Sequence, residues 1–508
     1  MNTHRQTPIM GWASWNCFRT RISEESIKEQ ARALVDTGLA ACGYEYLNMD
    51  DGFFGGRGAD GKVRAHAERF PNGIKCIADY AHSLGLKAGI YADGGDMTCG
   101  FYYDSEGGNG TCVGLYHHEE NDLKMYLEEY GYDFIKVDWC GGLRLGLDER
   151  EQYTKIGNII EQIRQRTTHD IVYNVCRWQF PGEWVTSVAD SWRTGADIEP
   201  QFSSILQQLD NIKPLAKYCG PGHVNDLDMM QIGNGMTPDE ERTHFAMWCM
   251  MSTPLMIGCD LTRIQNSTLE ILKNRELIAI DQDDACQQAY VAREIRSEND
   301  QLIGEIWIKN LHQKYSPEKA VAFLNRSERE LEFHVTAQEL GLDGSILSVR
   351  DVHRHENLPP TEDYQITIAP HGVEVYVIRA EKCGVEREVS TDRNEIEEAI
   401  AEELLTDEEV RELLGQGALL VDVRDREEYD RGHLKGAVNI PYTGIHVEAR
   451  KYLPDKKQPI IVYCKTGKRS SQAQRSLAYL GYTHVYKWKK EKIGDEKGEI
   501  SAHENLEL

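Results

Sequence analysis

The sequence lacks long hydrophobic runs and any excess of basic residues. No stretch stays apolar over the length of a transmembrane helix, and the segment from Met1 to Pro8 lacks the apolar core of a secretory signal peptide. Lysine and arginine number 57 against 83 aspartates and glutamates, a net charge of −26. Because nucleic acids and anionic membranes are bound by clustered cations, the sequence predicts neither as a partner. We expect an uncharged small-molecule substrate and a cytoplasmic location.

A disulfide framework and a nucleotide-binding loop are also missing. The 13 cysteines are scattered through the 508 residues without regular spacing, which predicts mostly reduced, buried thiols. No glycine-rich phosphate loop follows the first predicted strand, which argues against a doubly wound dinucleotide-binding sheet. We expect no cofactor and no metal. The sequence leaves the oligomeric state open, a homo-oligomer included.

Short apolar segments alternate with amphipathic ones up to residue 285. The predicted strands are Pro8–Trp15, Tyr44–Asp50, Leu86–Ala92, Tyr132–Asp138, Asp170–Val175, Ala189–Thr194, His223–Met229 and Pro254–Gly258. The predicted helices between them include Ser23–Asp36, Ile74–Leu84, Glu119–Glu129, Glu151–Arg164 and Asp239–Met251. Eight strand-then-helix units over this length predict an α/β fold, a (β/α)₈ TIM barrel in residues 1–285.

The pattern changes twice after the barrel. Residues 286–381 contain short alternating strands without helical spans, which predicts an antiparallel β-sandwich domain. Residues 382–403 are polar and acidic and are predicted to be a linker. Residues 404–508 return to an α/β pattern and predict a third, small domain.

The fourth predicted strand carries two charged residues where apolar ones are expected. Lys136 and Asp138 are two residues apart, so their side chains lie on the same face. Burying both is costly unless they pair or take part in chemistry, and a structural ion pair is the alternative to an active site. Other predicted strands also end in polar or aromatic residues: Trp15, Asp50, Asp51, Tyr91, Asp93, Cys176, Trp178, Arg193, Asp197, Asp228 and Met229. In a barrel these ends meet at one mouth, which predicts an active site there.

Two carboxylates in such a pocket suit cleavage of a glycosidic bond, one attacking the anomeric carbon and the other protonating the leaving oxygen. Trp15 would pack against the apolar face of a sugar ring. Asp50 and Asp51 would each accept hydrogen bonds from hydroxyls. The spacing does not say which acid attacks.

Eight motifs in order match one enzyme family. They are Met10–Asn16, Asn48–Gly52, Gly89–Asp93 followed by Thr98 and Cys99, Lys136–Cys140, Cys176–Trp178, Ser191–Asp197, Gly220–Met229 and Pro254–Asp260. Over about residues 5–380 the chain resembles the clan-D α-galactosidases of glycoside hydrolase family 27. The resemblance implies a retaining exo-glycosidase with Asp138 as nucleophile and Asp197 as acid/base. It also implies a disulfide between Cys99 and Cys140. It places the following residues in the sugar subsite: Trp15, Asp50, Asp51, Tyr91, Lys136, Cys176, Arg193 and Asp228, to which we add Arg177, Trp178 and Met229.

The chain departs from the family's pattern at three places. Arg177 stands where these enzymes carry a glutamate beside the sugar's 2-hydroxyl, and the segment Gly100–Gly114 is an insertion beside the mouth. Gly52 replaces a cysteine, which leaves Cys17 without its usual partner. We expect Arg177 to donate at the 2-position or toward the aglycone; a salt bridge to an acid such as Glu183 is the alternative.

The substrate therefore has alternatives. A β-L-arabinopyranoside lacks only the 6-hydroxymethyl group of galactose, and an α-N-acetylgalactosaminide has a larger 2-substituent. Retention of both Asp50 and Asp51 favours a sugar with a 6-hydroxyl, hence an α-D-galactoside carried on a small oligosaccharide or glycoside.

The third domain has its own motifs, Asp422–Tyr429, Gly432–Pro441 and Cys464–Arg469, which resemble rhodanese domains. A cysteine at a strand-to-helix turn sits among backbone N–H groups that stabilise a thiolate or persulfide. Cys464 is thus the predicted persulfide site, with Lys465, Lys468 and Arg469 attracting an anionic sulfane sulfur donor. A buried, inert thiol is the alternative for Cys464. A further alternative makes sulfur transfer the main function and the barrel a carbohydrate-binding module.

Overall fold

The computed structural model describes residues 6–104, 107–167, 169–384, 405–442, 445–465, 467–479 and 482–489. The chain divides into two compact units, Met1–Val389 and Ser390–Leu508. The predicted linker lies outside the described residues from position 385 onward. Among the helices of these ranges, none combines the length and apolar character needed to cross a bilayer.

The first unit begins with a curled sheet of eight parallel strands. They are Met10–Ala13, Tyr46–Met49, Lys87–Asp93, Phe134–Asp138, Val172–Val175, Ser191–Arg193, Val224–Asp226 and Leu255–Ile257, here called strands 1 to 8. Neighbours in the chain are neighbours in the sheet, and strand 8 pairs with strand 1. Met230, which follows strand 7, forms a parallel bridge with Ile257 of strand 8, so the sheet closes. The predicted barrel is confirmed. Strand 1 is shorter than predicted because Trp15 begins a helical turn.

Helices surround the strands. The α-helices are Trp15–Phe18, Glu24–Asp36, Lys75–Ser83, Cys99–Tyr103, Glu119–Leu123, Cys140–Leu145, Glu149–Thr167, Phe202–Ile212, Pro238–Met251, Asn266–Leu272 and Arg275–Asp281. The 3₁₀ turns are Ala40–Cys42, Gly107–Gly110, Glu183–Ser187, Lys213–Tyr218 and Leu261–Arg263, and Lys124–Glu129 is a π-helix. A hairpin pairs Phe54–Arg57 with Val63–Ala65.

Local sequence explains where several of these helices begin. Ser23 and Thr237 cap the helices that follow them, each in a reciprocal capping box with the third helical residue. In Glu24–Asp36 the buried residues Ile27, Ala31 and Leu34 recur at helical spacing and face the barrel.

Asp133 anchors the start of strand 4, the strand that carries Lys136 and Asp138. Its carboxylate lies 2.8 Å from His82 Nε2 and 2.8 Å from His169 Nε2, and it accepts the Ala88 amide at 2.7 Å. Burial raises the pKa of Asp133, but the hydrogen bonds from His169, His82 and the amide outweigh burial, so that pKa lies below its ordinary value. The bond to Asp133 raises the pKa of His169.

These shifts predict a pH window for stability. The raised pKa of His169 means that its contribution is complete below pH 6.5 and is lost as the pH rises through the raised value. The lowered pKa of Asp133 means that its contribution is complete above pH 3.8 and is lost as the pH falls. Asp133→Asn should therefore lower the free energy of unfolding most between these two values, by about 1–3 kcal/mol. Urea titrations at pH 5 and pH 8 measure this.

Asp363→Asn is the matched control, because Asp363 pairs with His334 on an exposed surface where both side chains are about two-thirds exposed. It should change stability little. An equal effect of Asp133→Asn at both pH values would contradict the role given to His169.

The second part of the unit is antiparallel. Its strands are Tyr290–Arg296, Leu302–Asn310, Glu318–Asn325, Leu331–Thr336, Leu342–Asp351, Glu356–Leu358, Asp363–Ile368 and Val373–Cys383. Six form one sheet, and Leu331–Thr336 pairs with Asp363–Ile368 in a second. Apolar residues such as Phe323 and Phe333 fill the space between the sheets. Lys309 joins this domain to the barrel, since its buried Nζ donates to Ser252 Oγ at 2.6 Å and to the Cys249 carbonyl at 3.2 Å. The predicted β-sandwich is confirmed.

The second unit is a small α/β domain. Its parallel sheet has the order Val438–Asn439, Leu419–Asp422, Ile460–Cys464 and Val485–Lys489. Its helices are Asp407–Gly415, Arg426–Arg431, Ile445–Tyr452 and Lys468–Tyr479. Strand Ile460–Cys464 is interior to the sheet and buried throughout, and it ends on Cys464.

Candidate active site

A cavity lies inside the barrel toward the C-terminal ends of its strands. Six of the residues predicted from sequence line it: Asp50, Tyr91, Lys136, Arg193, Asp228 and Met229. Apolar side chains that include Phe134, Met229 and Met256 pack together in the barrel interior. The cavity thus has charged walls and an apolar floor.

Lys136 lies between two carboxylates. Its Nζ is 2.8 Å from Asp50 Oδ2 and 3.9 Å from Asp138 Oδ2. Burial opposes its charge, but Asp50, followed by Cys176, Asp138 and Asp197, outweighs burial and holds the pKa of Lys136 well above its usual range. Lys136 is therefore a permanent cation, and its shorter contact is with Asp50. Lys136 therefore does not form an isolated ion pair with Asp138, which was the alternative to an active site.

Asp138 is 4% exposed and lies at the end of strand 4. One of its oxygens accepts the Trp139 amide at 3.2 Å, and the Cys176 thiol is a second partner. Burial raises the pKa of Asp138 to about 6, against the lowering effect of Lys136; Asp197 and Asp50 raise it further. Above that pH, Asp138 is a desolvated carboxylate held beside a cation.

Asp197 differs from Asp138 in exposure, with 54% of its side chain open to solvent. Arg193 Nη2 lies 3.2 Å from Asp197 Oδ1 and 2.8 Å from Asp228 Oδ2. The influence of Asp197 on the pKa of Asp138 places the two acids within electrostatic reach. The site therefore has one buried and one half-exposed acid, each next to a cation.

Asp228 holds the loop that carries Asp197. Its Oδ2 accepts the amide of Ile198 at 2.9 Å, and its Oδ1 accepts that of Met229 at 2.8 Å. Asp228 adopts a positive φ of 83°, which is uncommon for a residue other than glycine and is typical of functional sites. Burial raises the pKa of Asp228 to about 7, although Arg193 lowers it.

Sequence reasoning missed two residues of this wall, Asp226 and Asn174, which also line the cavity. Asn174 Nδ2 donates to Asp226 Oδ2 at 2.8 Å, and Asp226 Oδ1 accepts the Asp228 amide at 2.8 Å. Asp226 could have been found, because it is the last residue of strand 7, and polar residues at strand ends were the signal for the other site residues.

Asp51 lies behind the cavity wall and does not line it. Its two oxygens accept the amides of Gly52 and Gly100, each at 2.7 Å. Burial raises the pKa of Asp51 to about 7, while these bonds and one from Thr98 lower it. Asp51 thus fixes the start of helix Cys99–Tyr103, and its contact with a sugar hydroxyl stays a prediction.

A disulfide joins Cys99 to Cys140, with Cα atoms 5.3 Å apart. It links the segments that follow strands 3 and 4, and Tyr91 adds a hydroxyl that accepts the Cys99 amide at 3.2 Å. Asp93 lies close enough to both sulfur atoms to complete a group of three potential metal ligands, but the sulfurs are bonded to each other.

The predicted aromatic residues Trp15 and Trp178, like Arg177, are not among the residues that line the cavity. Trp15 and Trp178 are each 8% exposed, and the Arg19 guanidinium stacks 4.4 Å from the centre of the Trp15 ring. Arg177 does form an ion pair, but its partner is Glu149, 2.8 Å from Nε, and not Glu183. Glu149 begins the long helix after strand 4, a contact that local sequence does not reveal.

Cys464 lies in a separate site in the second unit. Its sulfur accepts the amides of Gly467 at 3.2 Å and Ser470 at 3.3 Å, as the predicted cup of N–H groups requires. Arg469 is paired with Glu428 and lies 3.7 Å from Asp425. The expected attraction of Arg469 for an anionic donor is thus partly compensated by acids. The side chain of Lys468 lies outside the described residues.

Three family models match the chain. Residues 7–283 match the model described as Alpha galactosidase A, and residues 304–378 match its C-terminal β-sandwich domain. Residues 406–489 match the rhodanese-like domain.

Curated relatives and solved structures agree with the first two matches. An α-galactosidase of Oryza sativa subsp. japonica is 35% identical over 378 residues, 73% of this chain and 85% of the relative. Alpha-galactosidase A of Cellvibrio japonicus is 35% identical over 394 residues, 73% of this chain and 91% of the relative. The crystal structure of α-galactosidase I from Mortierella vinacea superposes with a TM-score of 0.67 at 26% identity, and covers 76% of this chain and all of that one.

Proposed function

Because the chain belongs to the α-galactosidase family of glycoside hydrolases, we propose that it hydrolyses terminal α-D-galactosides by a retaining, double-displacement mechanism. The supporting observation is the contrast in environment between Asp138 and Asp197, which lie within electrostatic reach of each other and beside Lys136 and Arg193, two cations that line the cavity. Asp138 is buried beside a permanent cation, which suits a nucleophile, whereas Asp197 is half-exposed, so that a leaving group and water can reach it.

In the first step, Asp138 attacks the anomeric carbon as the bond to the aglycone oxygen breaks, and Asp197 donates its proton to that oxygen. In the second step, Asp197 removes a proton from water, the water oxygen bonds to the anomeric carbon, and the bond to Asp138 breaks. Formation of the ester removes the charge of Asp138. Lys136 then keeps Asp50 as a partner at 2.8 Å, so no buried charge is left unpaired in the intermediate.

The cavity supports an exo mode of action on one sugar. Its floor is apolar and closed by the barrel core, so a chain of sugars cannot pass through. The Asp50–Lys136 pair lies on one side, and the Arg193–Asp228 pair lies on the other. Each pair offers acceptors and donors at fixed positions, as hydroxyl recognition requires.

A panel of nitrophenyl glycosides tests this proposal. The α-D-galactoside should be preferred to the β-L-arabinopyranoside and to the α-N-acetylgalactosaminide, the two alternatives. Misfit of one substituent in a small pocket costs about 1–3 kcal/mol, so we expect differences of about 10- to 200-fold in kcat/KM. A preference for the N-acetyl sugar would contradict the proposed specificity for a sugar with an unsubstituted 2-hydroxyl. A preference for the arabinopyranoside would contradict recognition of the 6-hydroxyl by Asp50 and Asp51.

For the second unit we propose a sulfur-carrying role at Cys464. The thiolate would take the outer sulfur of thiosulfate, forming a persulfide and releasing sulfite, and the amides of Gly467 and Ser470 would stabilise the anion.

Cys464→Ser should abolish formation of thiocyanate from thiosulfate and cyanide, because serine forms no persulfide. Glycosidase activity should stay unchanged, because the two sites lie in separate units. Cys112→Ser, which replaces an exposed thiol of the first unit, is the control and should leave both activities intact. Equal thiocyanate formation by the wild type and Cys464→Ser would remove the assignment.

A further inference from the structure

Two short helices are fastened together beside the predicted nucleophile. Helix Cys99–Tyr103 and helix Cys140–Leu145 each begin at one cysteine of the disulfide, and the second helix begins two residues after Asp138. Helix Cys99–Tyr103 is also fixed to the site at its start. Its Gly100 amide donates to Asp51, its Cys99 amide donates to the Tyr91 hydroxyl, and Thr98 caps it.

Helix geometry brings Tyr103 of the first helix close to Arg144 of the second. Residues four apart share a helix face, and four residues rise about 6 Å. Tyr103 follows Cys99 by four residues, and Arg144 follows Cys140 by four. Arg144 accordingly donates a hydrogen bond to the Tyr103 hydroxyl, and its guanidinium lies 5.2 Å from the centre of the Tyr102 ring. The disulfide therefore sets the position of the Tyr103–Arg144 pair, one turn outward from the site.

Tyr103 is exposed although the helix that carries it is anchored. It is 49% exposed, which is unusual among the large hydrophobic residues of the described barrel, most of which are buried. The other half of Tyr103 is covered, and this partial burial raises its pKa; Arg144 lowers that pKa, and the carboxylates of Asp138 and Asp93, which lie within electrostatic reach of the phenol, raise it further. An exposed aromatic ring on a rigid support beside a reaction centre is suited to binding.

Asp104, the next residue, connects this helix through Arg19 to Trp15, the residue predicted to pack against the sugar ring. Asp104 forms a two-point ion pair with Arg19, both contacts at 3.2 Å, and Arg19 stacks on Trp15. The segment from Tyr103 to Asp104 thus borders the site between Arg144 and Arg19. It belongs to the insertion that sets this chain apart from the family pattern.

We propose that Tyr103 and Arg144 form an aglycone subsite that binds a pyranose unit attached to the galactose being released. The exposed ring offers an apolar face to the C–H side of the pyranose, and the guanidinium donates to its hydroxyls. The Tyr103–Arg144 pair lies about one helical turn beyond Gly100, whose amide donates to Asp51. The pair would therefore meet the sugar unit next to the galactose held in the cavity. This inference depends on the proposed function and adds the class of the leaving group.

Two substrates with the same sugar test the subsite. A disaccharide of galactose α-linked to glucose presents a pyranose aglycone, whereas methyl α-galactoside does not. Tyr103→Ala should lower kcat/KM for the disaccharide by about 2- to 13-fold, the value of an aromatic contact of about 0.5–1.5 kcal/mol, and leave that for the methyl glycoside unchanged. Tyr103→Phe should keep most of the stacking. Arg144→Gln should lower activity on the disaccharide alone.

Tyr315→Ala is the matched control, since Tyr315 is 55% exposed in the sandwich domain and should affect neither substrate. Melting temperatures of all variants establish that they are folded. Equal losses on both substrates, or none on either, would overturn the subsite alone. If Tyr103→Ala loses as much activity on nitrophenyl α-galactoside as on the disaccharide, then the subsite binds any flat ring and is not specific for a pyranose. A wild type that hydrolyses neither galactoside would contradict the proposed function, and the subsite with it.

Discussion

Asp138→Asn should lower kcat by on the order of 10⁴-fold or more, because an amide cannot form the covalent intermediate. The substitution keeps the shape of the side chain, so the cavity should stay intact. The measurement is the rate of nitrophenol release from the aryl α-galactoside, with Asp300→Asn, an exposed carboxylate of the sandwich domain, as the control. Retention of more than a few per cent of the wild-type rate would exclude Asp138 as nucleophile.

An external nucleophile sharpens this test. Asp138→Gly leaves space where the carboxylate stood, and azide can then attack the anomeric carbon directly. We expect azide to restore turnover and to yield galactosyl azide of the opposite, β configuration. If azide does not rescue Asp138→Gly but does rescue Asp197→Gly and yields the same β product, then Asp197 is the nucleophile and Asp138 is the acid/base.

Asp197→Asn should show a loss that depends on the leaving group. A poor leaving group needs its oxygen protonated, so activity on an alkyl or sugar galactoside should fall by about 10²- to 10⁴-fold. A nitrophenolate needs little protonation, and the first step on that substrate should be nearly unaffected. The second step still needs a base, so a burst of nitrophenol should precede a slow steady state.

The burst distinguishes this account from a binding role for Asp197. Stopped-flow traces should show a burst close to one equivalent of enzyme, because the covalent intermediate accumulates. If the loss is the same for leaving groups of every pKa and no burst occurs, then Asp197 does not transfer the proton.

Local pattern was sufficient for the framework of the site. The alternation of Lys136 and Asp138 on one strand, and the polar ends of the other strands, predicted a barrel mouth lined by charge, and the cavity contains six of the residues named. The limits of the strands were less predictable. Trp15 belongs to a helical turn, since the chain bends directly after Ala13.

Contacts between distant segments could not be predicted. The shorter partner of Lys136 is Asp50, 86 residues away, and Arg177 pairs with Glu149 across 28 residues. Both depend on how the strands and helices pack, which no local spacing encodes. The same holds in the second unit, where Glu428 compensates Arg469 across 41 residues. The backbone N–H groups around the Cys464 sulfur were predictable, because a strand followed at once by a polar turn and a helix defines that environment locally; its persulfide role stays a prediction.

The configuration of the first product tests the central claim directly. The account holds that Asp138 forms a covalent bond with the sugar, so galactose must leave with the α configuration of the substrate. Proton NMR of the anomeric region in the first minutes, at an enzyme concentration that outpaces mutarotation, should show α-galactose appearing first and the β anomer only later. Initial appearance of β-galactose would contradict the double displacement and require water to attack directly.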